Sequence, residues 1–219
     1  YKFEDNKKYI LLGASGCGKS TLLNMISGIV SPSSGEIFID SEEITSSSQK
    51  SKDIYRIKNI GYIFQDFKLI EEMTVIDNIN VLKIEGVNVS SSNELLKKLG
   101  MYEKRNKKVK ELSGGEKQRV AIVRALVKNP QIILADEPTG SLNSKASEEV
   151  MQEILEANNR GTAVLMVTHN EKVAAKSERI IYLVDGNIKG EIKLGKMENK
   201  QDVVLRERKI KNWLDEMGW

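Results

Sequence analysis

Tyr9-Ile10-Leu11-Leu12-Gly13-Ala14-Ser15-Gly16-Cys17-Gly18-Lys19-Ser20-Thr21 is the stretch that decides the fold. Four apolar residues without polar alternation read as a strand buried on both faces. The next eight fit G-x-x-x-x-G-K-[ST], and a helix is expected from Lys19 to Ser27. Between a strand and a helix, such a loop turns successive backbone N–H groups inward around an anion, and the helix start adds its positive dipole end. Lys19 is placed to reach the β- and γ-phosphates of a nucleotide, and Ser20 to offer its hydroxyl to Mg²⁺. Cys17, inside the loop, reads first as a small space-filling residue. A thiol beside a helix N-terminus can also become reactive, in which case alkylation would block nucleotide binding.

Working outward, Ile132–Ala135, Ala163–Val167 and Ile180–Val184 are further unalternating apolar runs, expected to be buried strands. Gly35–Asp40 (GEIFID) alternates and is expected to form an antiparallel edge, and Asp185-Gly186-Asn187 marks a hairpin turn. Helices are expected at Val75–Lys83, Gly115–Val127 and Lys145–Asn158 as well. Strands alternating with helices give an α/β fold with a mostly parallel sheet and an antiparallel β edge. From Phe67 to Lys110 the chain is helical in character and Lys-rich, and reads as an insertion into this core. The expected division is residues 1–66 and 113–219 as core and 67–112 as an α-helical subdomain. Seven of the fourteen residues from Lys97 to Lys110 are Lys or Arg; they read as a solvated surface, with anionic lipid head groups as the alternative partner. Ser46–Ser48 and Ser90–Ser92 read as loops. In the tail, Val203, Ile210, Trp213, Leu214 and Met217 fall at helical spacing, so 202–217 is expected to be an amphipathic helix packed on the core.

The 219 residues suffice for one or two domains. Positive minus negative charge is 34 − 31 = +3, too balanced to signal nucleic-acid binding. A single cysteine excludes an internal disulfide framework and suits a reducing compartment. No apolar run exceeds five residues, so no membrane span or signal-peptide core is expected. Because the chain opens with Tyr1 rather than Met, upstream residues are expected to exist.

Ile132-Ile133-Leu134-Ala135-Asp136-Glu137 ends an apolar strand in two acids. Side chains of neighbouring strand residues diverge, so the pair suits two separate jobs. Asp136 can hold Mg²⁺, and Glu137 can polarise the water that attacks a γ-phosphate. Leu112-Ser113-Gly114-Gly115-Glu116-Lys117-Gln118-Arg119 opens a strong helical stretch that Ser113 can cap.

GASGCGKS, Gln65 in YIFQD, LSGGEKQR, ILADEPTGSLN and VTHN stand in the order and spacing of the ATP-binding-cassette ATPases, which the chain resembles over nearly its whole length. That resemblance implies a P-loop NTPase core, hydrolysis of ATP with Mg²⁺, and catalytic roles for Lys19, Gln65, Glu137 and His169. It implies that Gly13 to Thr21 (Ala14, Ser15, Gly16, Cys17, Gly18, Lys19 and Ser20 between them) form the phosphate-binding set, and that Ser20, Gln65 and Asp136 form the metal-binding set. Gln65 would report nucleotide state to a membrane partner, and His169 would bond the γ-phosphate and Glu137. Ser113 and Gly115 would close over the γ-phosphate of ATP held by a second copy of the chain, giving a two-fold ATP-sandwich dimer.

Three departures from the family pattern stand out. The aromatic residue that stacks on adenine, some twenty positions ahead of the cradle, is missing, and with it an expected N-terminal strand. Glu116 replaces the commoner Gln, and Asn143 stands where Asp is usual. Within the family, ADEPTGSLN and FQDFKLIEEMTVIDNI most resemble the lipoprotein-release, macrolide-export and antimicrobial-peptide-resistance group. The resemblance implies a separate transmembrane permease subunit, peripheral attachment at the cytoplasmic face of a bacterial membrane, and no nucleic-acid partner. The alternative is a soluble cassette ATPase acting on DNA or ribosomes.

Overall fold

The structure, a computed structural model, describes residues 1–39, 41–197, 199 and 202–219. In chain order the elements are β1 (Lys8–Leu12), α1 (Lys19–Ile26), β2 (Phe38–Ile39), β3 (Glu42–Glu43), α2 (Gln49–Asn59), β4 (Ile60–Ile63), α3 (Val75–Asn80), α4 (Ser92–Lys98) and α5 (Gly114–Leu126). They continue with β5 (Ile132–Asp136), α6 (Ser144–Asn159), β6 (Ala163–Val167), α7 (Glu171–Ala174), β7 (Arg179–Val184), β8 (Asn187–Lys193) and α8 (Asp202–Glu216). Six strands form one sheet in the order β4-β5-β6-β1-β7-β8, parallel except for the β7–β8 hairpin.

Both faces of this sheet are covered, which is why its strands lack polar alternation. Tyr9, Leu11, Leu134, Leu165, Val167, Ile181 and Leu183 pack with Leu23 of α1 on one face. Ile10, Leu12, Ile133, Val164, Met166 and Ile180 pack on the other with α5, α6 and α8. Alternate residues of each strand thus feed two separate apolar layers.

Several expectations need correcting. The GEIFID segment does not edge the main sheet. Only Phe38–Ile39 pairs, with Glu42–Glu43, in a separate two-stranded ribbon, and Asp40 lies outside the described residues. The antiparallel edge of the main sheet is β8. β4 was not anticipated, because Gly61 interrupts its four-residue apolar run. That glycine permits close packing: a Cβ there would lie 2.8 Å from the Ala125 carbonyl oxygen of α5 and 2.9 Å from Pro130. α2 was missed too. Its sequence QKSKDIYRIKN is mostly polar, and its start is fixed by the Ser48 side chain accepting from Ser51 N–H. The helix from Val75 ends at Asn80 and tightens into a 3₁₀ turn over Val81–Glu85. Ser92 is the first residue of α4 rather than loop.

Among the described residues, 64–112 contributes no strand to the main sheet. Its basic run is largely matched from within the chain. Lys98 faces Glu156 at 3.1 Å and Glu153 at 3.5 Å, Lys110 faces Glu72 at 2.9 Å, and Lys108 faces Glu72 at 3.8 Å. Lys104 pairs with Glu116, while Lys97 and Arg105 lie over the Tyr102 ring. Six of the seven basic residues therefore have an internal partner, in keeping with the solvated-surface reading rather than a lipid-facing one.

α8 returns to the core. Ile210 and Leu214 are buried and Val203 and Trp213 pack against the same layer, whereas Met217, expected on that face, is exposed; a Cβ at Gly190 would stand 3.2 Å from its Sδ. Arg206 fastens the helix by donating to the carbonyls of Ala175, Ser177, Leu194 and Gly195. Truncating the fully buried Ile210 to Ala should remove about 2–5 kcal/mol of stability. Urea unfolding followed by circular dichroism checks this, and a midpoint that does not move would show that α8 is not part of the cooperative unit.

Candidate functional site

β1 lies inside the sheet and delivers the glycine-rich loop at its carboxyl end. Gly13 admits no side chain, since a Cβ would stand 2.5 Å from the Leu183 carbonyl oxygen and 2.5 Å from Cys17 Sγ. Gly18 caps α1 in the left-handed region at φ 100°. Ala14, Ser15 and Gly16 are exposed along the rim, as are Ser20 and Thr21 on the first turn of α1. The Lys19 ammonium crosses the loop and donates to the Gly13 carbonyl at 2.7 Å and the Ala14 carbonyl at 2.8 Å. Cys17 is 6% exposed and packs in the core layer beneath, so its burial favours the space-filling role over the reactive thiol.

The hairpin turn buttresses the loop from behind, where Gly186 N–H donates to the Cys17 carbonyl at 3.0 Å. The tip residues Asp185 and Gly186 have φ of 48° and 75°, as the Asp-Gly signal predicts.

Asp136 closes β5 and is 8% exposed. Glu137 leaves the strand at φ 49°, with its N–H donating to the Val167 carbonyl at 3.0 Å. This turn separates the two acids as expected, and Glu137 Oε1 meets His169 Nδ1 at 2.9 Å. With the carboxylate accepting, Nε2 of the ring is left for a ligand. His169 is 79% exposed and Glu137 17%, so the carboxylate sits in the wall while the imidazole faces outward. Tyr62 of β4 stands near Asp136, and its hydroxyl donates to Asn24 Oδ1 of α1 at 2.9 Å. Burial, then the Asp136 and Asp66 carboxylates, push that hydroxyl above its usual range. Gln65 is exposed two residues beyond the end of β4, at the same sheet edge.

Ser113 and Gly115 belong elsewhere. They open α5, which packs on the sheet face opposite α1. Glu116 closes the turn by accepting from Ser113 N–H at 2.9 Å, and it also pairs with Lys104. The Lys104 hydrogen bond, helped by the one from Ser113, holds the Glu116 carboxyl below its usual range. The commoner Gln could accept from Ser113 in the same way but could not form the ion pair. The sequence carries no sign of this pair, because nothing distinguishes Lys104 within a Lys-rich run. Asn143 caps α6 by accepting from Ala146 N–H at 2.9 Å, a task an Asp would perform equally.

A cleft of about 370 Å³ opens beside the Glu137–His169 pair. Thr139, Ser147, Thr168 and Lys172 line it, over Leu142 and Met151.

Residues 1–140 match the family model described as ABC transporter. The lipoprotein-releasing system ATP-binding protein LolD of Francisella tularensis is 40% identical over 198 residues, covering 85% of this chain and 84% of that protein. An ABC-type relative in Mycoplasma pneumoniae is 41% identical over 181 residues, and the match covers 82% of this chain but 64% of that protein. Among solved structures, a dimeric post-hydrolysis state of the ATP-binding cassette MJ0796, bound to ADP and Pi, superposes with a TM-score of 0.84 at 38% identity, covering 90% of this chain and 89% of that one. A strand-borne glycine-rich loop, an acid pair on the second strand along, and these likenesses agree. The chain belongs to the ABC transporter family and is an ATP-binding, ATP-hydrolysing subunit of it.

Proposed function

We propose that two copies of this chain close head to tail around two ATP molecules and hydrolyse them to drive a separate membrane permease. The observation that carries this reading is the Glu137–His169 contact at 2.9 Å, beside the buried Asp136 and on the same sheet edge as the Lys19 loop. In that arrangement Gly13 to Thr21 hold the triphosphate and Lys19 bonds its β- and γ-phosphates. Ser113 and Gly115 of each copy reach the nucleotide on the other. This division of labour fits their position on the far face from their own loop.

Glu137 orients a water and takes its proton as the water oxygen bonds to the γ-phosphorus. The bond from that phosphorus to the β–γ bridging oxygen breaks, and ADP and inorganic phosphate result. His169 holds the carboxylate through Nδ1 and offers Nε2 to the γ-phosphate. The hydroxyl of Ser20, the amide oxygen of Gln65 and the buried carboxylate of Asp136 offer only oxygen donors, which suit Mg²⁺; they would hold the ion, which would supply positive charge to the phosphate oxygens.

On the same reading, residues 1–66 and 113–219 form the ATPase core, 67–112 a helical subdomain toward the permease, and 202–217 a closing helix. None of the described helices is long and apolar enough to cross a membrane. Likeness to the lipoprotein-releasing ATP-binding protein, matched over 84% of that protein, supports a permease on another polypeptide, with this subunit at the cytoplasmic face of a bacterial membrane. Similarity to the lipoprotein-release protein supports transport work over action on DNA or ribosomes.

Glu137→Gln should lower turnover by roughly 10²-fold or more while ATP stays bound, since a catalytic proton acceptor contributes on that scale. A phosphate-release assay with gel filtration in ATP checks this: the expected result is a stable dimer with little phosphate, and near-normal turnover would remove Glu137 from its role. Lys19→Ala should abolish ATP binding in titration calorimetry, and retained affinity would count against the loop assignment.

A further inference from the structure

The segment that follows Gln65 makes a tight reversal without a glycine. Phe67 N–H donates to the Phe64 carbonyl at 3.2 Å, and Lys68 N–H donates to the Asp66 carbonyl at 2.7 Å. The second bond closes a three-residue turn on Phe67, whose φ is 63°, and Lys68 follows at 47°. Two consecutive non-glycine residues in the left-handed region are unfavourable, and a γ-turn of positive φ is a strained form. Such a conformation persists only where its surroundings over-determine it.

The support comes from α5. Arg124, in its last turn, donates to the Phe67 carbonyl at 2.8 Å and to the Lys68 carbonyl at 2.6 Å. A planar guanidinium can serve two adjacent carbonyls at once, which a lysine ammonium matches poorly. Burial pushes Arg124 down to about 10, which leaves it charged near neutrality, so both bonds are charge-assisted. The far side of the segment is pinned independently. Asn78, itself fully buried, accepts from Ile70 N–H at 2.8 Å and donates to the Ile70 carbonyl at 3.0 Å.

From this geometry we infer that Arg124 is a positioning residue for Gln65. It clamps the strained turn at Phe67–Lys68 to α5, so that Gln65 takes its working position together with the helix that begins at Ser113. The inference rests on the proposed role of Gln65 and goes beyond it. It makes α5 a rigid link from the surface that meets the second copy to the residue beside the metal and water. The clamp acts on backbone carbonyls, so the identities of Phe67 and Lys68 matter little while the guanidinium matters greatly.

A double-mutant cycle on the full chain tests it, with Arg124→Lys, Gln65→Ala and the pair. Arg124→Lys should lower kcat on the order of 10- to 100-fold, the scale of a misplaced group, with ATP affinity in calorimetry within about two-fold of the parent. In the Gln65→Ala background the same change should have almost no further effect on kcat. Equal fold-losses in both backgrounds would overturn the inference while leaving the role of Gln65 standing. A Gln65→Ala chain with full turnover would overturn both. Hydrogen exchange on the unsubstituted chain supplies the answer if Arg124→Lys does not fold. The Phe67 and Lys68 amides should exchange slowly and at rates that follow those of α5, whereas exchange at free-loop rates would overturn the clamp.

Discussion

Parallelism in the central sheet is the constraint on which the site depends. β4, β5, β6 and β1 run in one direction, so their carboxyl ends fall on a single edge. From that edge leave the loops carrying Gln65, Glu137, His169 and the Gly13–Lys19 turn. A parallel sheet must bury both faces, and helices on each side do so, which fixes the strands in register and the loops with them. Ligands of open α/β sheets gather at this edge for the same reason. The proposed site is therefore assembled by strand direction, from residues more than a hundred positions apart.

Much of this was legible in the residues because the strongest signals were local. Tyr9–Leu12, Ala163–Val167 and the Asp185-Gly186 turn announce themselves through unbroken apolar runs and a turn pair. The phosphate loop is legible for a related reason, since its glycines answer to steric limits a few ångströms away. β4 was hidden because Gly61 serves Ala125 of α5, which lies 125 − 61 = 64 residues further on. α2 was hidden because its face toward the core is narrow and its start depends on one serine bond. GEIFID alternates as an edge strand should, yet alternation cannot say which sheet a strand joins. In the site, the His169–Glu137 contact could be anticipated from the motifs. Lys104 beside Glu116 and Arg124 beside Phe67 could not, since a basic residue in sequence gives no hint of the carboxylate or carbonyl it will meet.

Left-handed backbone falls at Phe67 and Lys68, two and three residues past Gln65, and at Glu137 itself, all residues or neighbours of residues proposed for catalysis. Each is held by a neighbour: Arg124 for the first two, and the Val167 carbonyl with His169 for the third. Strain of this kind sharpens position at the cost of tolerance, because a loop with one supported geometry has few alternatives nearby.

The β7–β8 hairpin has a bearing on protein engineering. Its turn gives the Gly186 N–H to the Cys17 carbonyl, and the Leu183 carbonyl excludes any side chain from Gly13. Reverse turns at a sheet margin are customary places to graft epitopes or fluorescent inserts. Here the graft would displace the rear support of the loop proposed to hold the triphosphate while the sheet stayed whole, so a labelled protein would keep its fold and lose the geometry that loop depends on.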